Sequence, residues 1–154
     1  MQRSAMRELA FCLVYEIEIQ KNVDEDILEI FFENNEITEK EVKSYLREIK
    51  EGIEKHQLEI NDLIIHNLKQ NWSLDRVSKI NLSLIKLAIF EMLYLDLPYK
   101  VAINEVTELS KKYADEQSPV FINGILASIV KEKRLNWQKF NYFIRGKNNE
   151  FRTN

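Results

Sequence analysis

The sequence predicts an all-α protein. Only 3 glycines and 2 prolines occur in 154 residues, and charged residues make up 31% of the chain. Few strands can be read, whereas apolar residues recur at helical spacing along much of the sequence. A chain of this length buries roughly 68 to 70% of its unfolded surface, so we expect one domain that needs neither metal nor disulfide to fold.

Charge is divided unevenly along the chain. Residues 1–77 hold ten Lys/Arg against seventeen Asp/Glu, whereas residues 78–154 hold twelve against eight. A polyanion is therefore expected to bind the second half. Cys12 is the single cysteine, and without a second thiol it is expected to be buried and inert, as suits a reducing cytoplasm.

No membrane segment is expected. The most apolar stretch, residues 82–97, is interrupted by Lys86, Glu91 and Asp96. It falls short of the ~20 apolar residues that span a bilayer, and the N-terminus lacks the apolar run of a signal peptide. These features favour a cytosolic protein with no membrane partner.

The first predicted helix runs from about Ser4 to Gln20. One of its faces carries a row at four-residue spacing, formed by Arg3, Arg7, Phe11 and Tyr15. Two guanidinium groups beside two aromatic rings suit single-stranded RNA, since arginine binds phosphate and bases stack on rings. A wider core stripe flanked by solvated arginines is the alternative.

Three further helices precede the middle of the chain. Asp24 is a possible cap of the second helix, and Thr38–Glu41 has the form of a capping box at the start of the third. Gly52 and the residues from His56 onward mark a possible interruption before the fourth. His56 and His66 lack the further ligands of a metal site, so none is expected.

The fifth predicted helix is the most apolar. Ser73 is its expected cap, and residues 82–95 are apolar on nearly every face. A helix of this kind lies in the middle of a bundle or against a partner protein. The central position is the prediction for most of it.

Residues 98–130 predict a helical hairpin. The inner face of its first helix carries Ala102, Val106, Leu109 and Tyr113. The opposite face carries a polar row that includes Lys100 and Lys111. This row suits a phosphate backbone, and a solvated surface explains it equally well.

The second hairpin helix is expected to open with Ser118 as its N-cap and Pro119 at the first helical position. Unpaired amides at a helix N-terminus form an anion site. Phe121 lies at the edge of the apolar stripe beside Gly124, which predicts a half-exposed ring on which a base can stack. Packing of that ring on Ile125 is the alternative.

The C-terminal end differs in composition from the rest. Residues 131–154 contain seven Lys/Arg and two Asp/Glu, interleaved with Trp137, Phe140, Tyr142, Phe143 and Phe151. We therefore divide the chain into a helical domain, residues 1–134, and a basic, aromatic extension, residues 135–154. The extension suits nucleic acid binding, and a segment folded back on the domain or a disordered end explains it equally well.

Several sequence blocks carry a family resemblance. They are Arg3 with Arg7–Ala10 and Leu13–Tyr15, Asn71–Arg76, Leu87–Glu91, Ala102–Glu105 and Phe121–Leu126. In their residues and in their order along the chain, these blocks resemble the NusB family of bacterial transcription antitermination factors. The resemblance covers most of residues 3–130 and implies a NusB-like fold, with about seven helices in two packed bundles.

The resemblance also implies a function. The expected ligand is boxA-type single-stranded RNA of nascent ribosomal RNA transcripts, contacted by Phe121, Gln117 and Ser118. The expected protein partners are the ribosomal protein NusE, through Asn81 and Glu91, and RNA polymerase with other Nus factors. Relatives often have consecutive basic residues where this chain has Arg3 followed by Ser4 and Ala5, so a weaker phosphate contact is expected there.

No catalytic residues emerge from the sequence. It contains no glycine-rich phosphate loop and no nucleophile with an evident base, so neither an enzyme nor a cofactor is expected. Two other functions stay open: a structural, dimerising helical module, and the RNA-binding domain of a ribosomal RNA cytosine methyltransferase. The chain is too short to add the catalytic domain of such an enzyme. Monomer and homodimer are both compatible with the sequence.

Overall fold

The computed structural model describes residues 1–20 and 25–152, except for the side chains of residues 135–144 and 146–152. This part of the chain is helical, which confirms the predicted fold class. The helices are α1 (Arg3–Ile19), α2 (Ile27–Asn34), α3 (Lys40–Lys55), α4 (Gln57–His66), α5 (Lys79–Tyr94), α6 (Tyr99–Tyr113) and α7 (Ser118–Arg152). Asp24, the predicted cap of α2, lies outside the described residues.

Helix α5 is the centre of the fold. Every residue from Asn81 to Glu91 is buried, and α5 packs against α1, α3, α4, α6 and α7. Because α5 carries apolar side chains on nearly all of its faces, it can pack against neighbouring helices on all sides. The predicted central position is confirmed, and the helices that α5 contacts share one hydrophobic core.

The two buried charges of α5 are both paired with α1. Lys86 donates a hydrogen bond to Glu18, and Glu91 accepts two from Arg7. Charged groups are rarely buried without a partner, because desolvation strongly disfavours them. These pairs join the middle of the chain to its first helix.

Gly52 lies within α3, where it faces α5. A Cβ atom placed on it would lie 2.0 Å from Cζ of Phe90. The glycine therefore permits close approach of α3 and α5 and does not interrupt the helix. The interruption falls at His56, between α3 and α4.

Two predicted caps are wrong. Ser73 precedes a short 3-10 turn, and Ser78 caps α5 by accepting a hydrogen bond from the Asn81 amide at 3.1 Å. The capping box at the start of α3 does not form, since the residue before that helix, Glu39, makes no side-chain cap bond. Ser73 and Ser78 are both possible caps in the sequence, and the fold determines that α5 begins after Ser78.

The hairpin of α6 and α7 forms as predicted, and the α7 backbone continues through residue 134 to Arg152. Ser118 is not the predicted cap, because α7 begins at Ser118 itself and the Ser118 hydroxyl donates to Asp115. The aromatic side chains of the predicted extension, Trp137, Phe140, Tyr142, Phe143 and Phe151, lie outside the described residues. None of the helices described is both long and apolar enough to cross a bilayer.

Candidate nucleic-acid interface

The two arginines of α1 have different environments. Arg3 is exposed in the first turn and forms no ion pair within the described part of the chain. Arg7 is buried, with 6% of its surface exposed. The predicted row on α1 is therefore not a continuous exposed strip, because Phe11 is buried as well.

Arg7 is held by a network from four helices. Its Nε and Nη2 atoms donate to the two Glu91 carboxylate oxygens, each at 3.0 Å, and its Nη1 lies 3.5 Å from Glu105. The Tyr45 hydroxyl donates to the same Glu91 carboxylate at 3.2 Å. Burial lowers the pKa of Arg7, but the hydrogen bond and charge of Glu91 together with Tyr45 and Glu105 outweigh it, and the net shift is upward. The prediction that Arg7 faces RNA is wrong, since all three of its nitrogen atoms face carboxylates.

The two predicted NusE contacts are also buried. Glu91 is 3% exposed and its carboxylate is occupied by Arg7 and Tyr45. Asn81 is 9% exposed, and its buried Oδ1 has no hydrogen-bond partner among the described residues. The prediction that these two residues face a partner is wrong, because the neighbouring helices cover α5 at both positions.

A polar cluster closes the exposed seam between α1 and α6, and we call it the α1–α6 seam. It consists of Glu8 on α1 and Lys112 and Tyr113 on α6. Glu8 accepts hydrogen bonds from Lys112 at 2.5 Å and from the Tyr113 hydroxyl. These two bonds outweigh burial and lower the pKa of the Glu8 carboxyl. The periodicity gave no site role to Glu8 or Lys112 and predicted Tyr113 in the core, whereas Tyr113 is 37% exposed.

Aromatic rings line the seam. The Phe11 ring lies 5.0 Å from that of Tyr113 and 6.2 Å from that of Tyr15, measured between centroids. Phe11 is buried and supports the two tyrosines, each of which is partly exposed. Nearby Cys12 is half-buried, less than predicted, and burial raises the pKa of its thiol.

The start of α7 is already capped. The Asp115 carboxylate accepts hydrogen bonds from the amides of Gln117 at 3.1 Å and Ser118 at 2.9 Å, and from the Ser118 hydroxyl at 2.8 Å. Ser118 is buried, whereas Gln117 is exposed. The predicted anion site is wrong for these amides, because a carboxylate from the preceding loop occupies them.

Phe121 has the half-exposed ring that the sequence predicts. It packs on the core with one side, and its centroid lies 6.2 Å from that of Trp72, which is 44% exposed. A Cβ atom placed on Gly124, one turn later, would have no atom of the described residues within 4 Å. The ring thus has open space beside it and a second exposed ring next to it.

The two predicted lysines of α6 are both exposed. Lys111 forms an ion pair with Glu108 on its own helix at 2.8 Å. Lys100 lies three turns earlier on the same face, with Asn104 and Thr107 between them. No cluster of His, Cys, Asp or Glu within the described ranges is arranged to hold a metal ion.

The model of the NusB family matches residues 4–131. The chain belongs to the NusB family. The matched range contains α1 after its first residue, all of α6 and the first turns of α7, with every interface residue described above except Arg3. A similar relative is the transcription antitermination protein NusB of Acetivibrio thermocellus, 42% identical over 86% of this chain and 91% of its own.

Solved NusB structures share the fold. T. maritima NusB has a TM-score of 0.75 and 34% identity, and the match covers 86% of this chain and 92% of that one. A crystal structure of NusB and NusE in complex with dsRNA has a TM-score of 0.76 and 25% identity, with 84% and 96% covered. The likeness extends over nearly the whole length of both NusB chains.

Proposed function

We propose that this protein is a transcription antitermination factor that binds RNA together with NusE. Its membership of the NusB family across residues 4–131 carries the proposal. A NusB protein similar to it occurs in a complex with NusE and dsRNA. The proposed place of action is the cytoplasm, on the RNA polymerase elongation complex with other Nus factors.

The proposed RNA surface combines α1 with the α6–α7 hairpin. Its exposed or half-exposed residues are Arg3, Tyr15, Lys100, Lys111, Gln117 and Phe121. Cations can neutralise phosphates while the rings stack on bases, which is the usual combination for unpaired strands. Arg7 and Ser118 act behind this surface, since the first fixes α1 to α5 and the second fixes the start of α7.

The proposed mechanism is assembly without a covalent step. Half-exposed rings and exposed cations on rigid helices hold the transcript, and NusE binds elsewhere on the protein. The joint complex then keeps polymerase from terminating. The proposed RNA is a boxA-like single strand, which the family resemblance implies.

The central test is Phe121→Leu, which keeps apolar packing against the core and removes the ring. Fluorescence anisotropy with a labelled boxA-like single strand, with and without NusE, measures affinity. We expect a loss of about 1 to 3 kcal/mol, the range for one stacked base. Leu58→Ala on α4 is the control, since it also removes exposed apolar surface and should leave affinity unchanged.

Three results would each contradict part of the proposal. Wild-type protein that binds neither RNA nor NusE would remove the proposed function. Equal affinity of Phe121→Leu and wild type, with unchanged thermal unfolding, would remove the stacking site alone. A duplex of the same sequence should bind more weakly than the single strand, and the reverse order would exclude an unpaired ligand.

A further inference from the structure

We propose that Lys112 and Tyr113 form an additional RNA subsite on the α1–α6 seam, and that Glu8 competes with RNA for it. The inference rests on the proposed function, since it takes RNA as the ligand. It gives an RNA-binding role to residues that neither the periodicity nor the family resemblance assigned to RNA. It also predicts that Glu8 weakens RNA binding, whereas Lys112 and Tyr113 strengthen it.

The seam lies between the two parts of the proposed RNA surface, which are α1 and the α6–α7 hairpin. Through Phe11, the Tyr113 ring is one ring away from Tyr15 on α1. Tyr113 also ends α6, four residues before Gln117, which limits their separation to about 14 Å of extended chain. A strand that reaches from Tyr15 to Gln117 and Phe121 therefore has the seam between its contacts.

The exposed groups of the seam match the chemistry of an unpaired nucleotide. Lys112 has 62% of its side chain exposed, and its Nζ lies 5.3 Å from the centroid of the Tyr113 ring. A cation beside an accessible ring can bind a phosphate while the ring stacks on the adjoining base. Lys112 is available to solvent although it already has a carboxylate partner.

Glu8 occupies the acceptor position that a phosphate needs. Its carboxylate binds both Lys112 and the Tyr113 hydroxyl, and it stays partly exposed beside them. A phosphate oxygen is an equivalent acceptor for the Lys112 ammonium, and the negative charge of Glu8 repels it. RNA must therefore displace Glu8 from Lys112 or bind against its charge. Removing that charge should strengthen RNA binding even though it weakens the contact between α1 and α6.

The test compares two exposed interhelical ion pairs of similar construction. In the control pair, Arg47 on α3 contacts Glu29 on α2 at 3.5 Å and lies 5.9 Å from the Phe32 ring centroid. Neither residue belongs to the proposed RNA surface. The variants are Glu8→Gln and Lys112→Gln at the seam, with Glu29→Gln and Arg47→Gln as matched controls. Each is titrated with the boxA-like single strand at several salt concentrations, and thermal unfolding is recorded.

We expect Lys112→Gln to weaken RNA binding about fivefold, the effect of one exposed charge contact. Its plot of log affinity against log salt should be shallower by about 0.7, the value for one lost phosphate contact on a single strand. Glu8→Gln should strengthen binding about twofold or more while it lowers the unfolding temperature. The control variants should change neither affinity nor slope beyond a small effect of net charge.

The outcomes separate this inference from the proposed function. If wild type binds RNA and Phe121→Leu weakens it, but Lys112→Gln keeps the wild-type affinity and salt slope, the subsite is absent. If Glu8→Gln weakens binding in parallel with its loss of stability, the seam is only a structural contact. If wild type binds no RNA, the proposed function itself fails.

Discussion

Helix α1 carries two ion pairs on consecutive residues, and they have opposite environments. Arg7 points inward and binds Glu91 of α5 through two hydrogen bonds, with both side chains almost wholly buried. Glu8 points to the seam and binds Lys112 of α6, with both side chains partly exposed. The inner pair ties α1 to α5 and the outer pair ties α1 to α6, yet solvent reaches only the outer pair.

The difference shows how burial decides what an ion pair does. A buried charge that loses its partner cannot turn to water, so the intact Arg7 pair fixes one arrangement of helices. An exposed pair is screened and exchanges readily with other ions. The inner pair is therefore a structural element, whereas the outer pair is suited to a binding site whose carboxylate a ligand can replace.

The largest expected effect is the loss of stability when one partner of the buried Arg7–Glu91 pair is removed. Glu91→Leu leaves the buried Arg7 guanidinium with only the more distant Glu105 and should lower the free energy of unfolding by about 3 to 5 kcal/mol. Urea unfolding followed by circular dichroism measures it. A loss below about 1 kcal/mol would mean that the pair behaves like an exposed one.

The second prediction removes both inner charges. Arg7→Met combined with Glu91→Leu replaces the pair by apolar groups and should recover much of the stability lost in Glu91→Leu, because no uncompensated charge stays buried. A double-mutant cycle with the two single variants measures the coupling. If the double variant instead lost as much stability as the two single variants added together, the two residues would act independently. The contrast between the buried and the exposed ion pair would then be wrong.

The smallest expected effect is at the outer pair. Glu8→Gln should lower the midpoint of thermal unfolding by only about 2 °C or less, because exposed pairs contribute little. The hydrogen bonds from Lys112 and Tyr113 hold the pKa of Glu8 below its ordinary value of 4.5. Its stabilising contribution is thus fully present above that pH and disappears as the pH falls through the lowered pKa.

Thermal unfolding of wild type and Glu8→Gln between pH 7 and pH 3 checks this dependence. The difference between the two proteins should shrink toward the acid end. Glu29→Gln, for the matched exposed pair, is the comparison. A difference that grows on acidification would reverse the sign assigned to Glu8.

Local sequence determined a large part of this protein. The helical class, the central apolar α5 and the hairpin at residues 98–130 follow from periodicity, because that spacing is a property of the segment itself. The half-exposed ring of Phe121 follows in the same way, from its place at the edge of an apolar stripe. The family blocks identified the NusB fold because they occur in the right order.

Only the tertiary structure decided which of the charged residues are available. Arg3 and Arg7 belong to one helical row, and what distinguishes them is the cover that α5 and α6 place over the second. Glu91 is 84 residues from Arg7 and Lys112 is 104 from Glu8 in the sequence. A helical repeat states which side chains share a face, but the packing of distant helices determines whether that face meets water, a carboxylate or another helix.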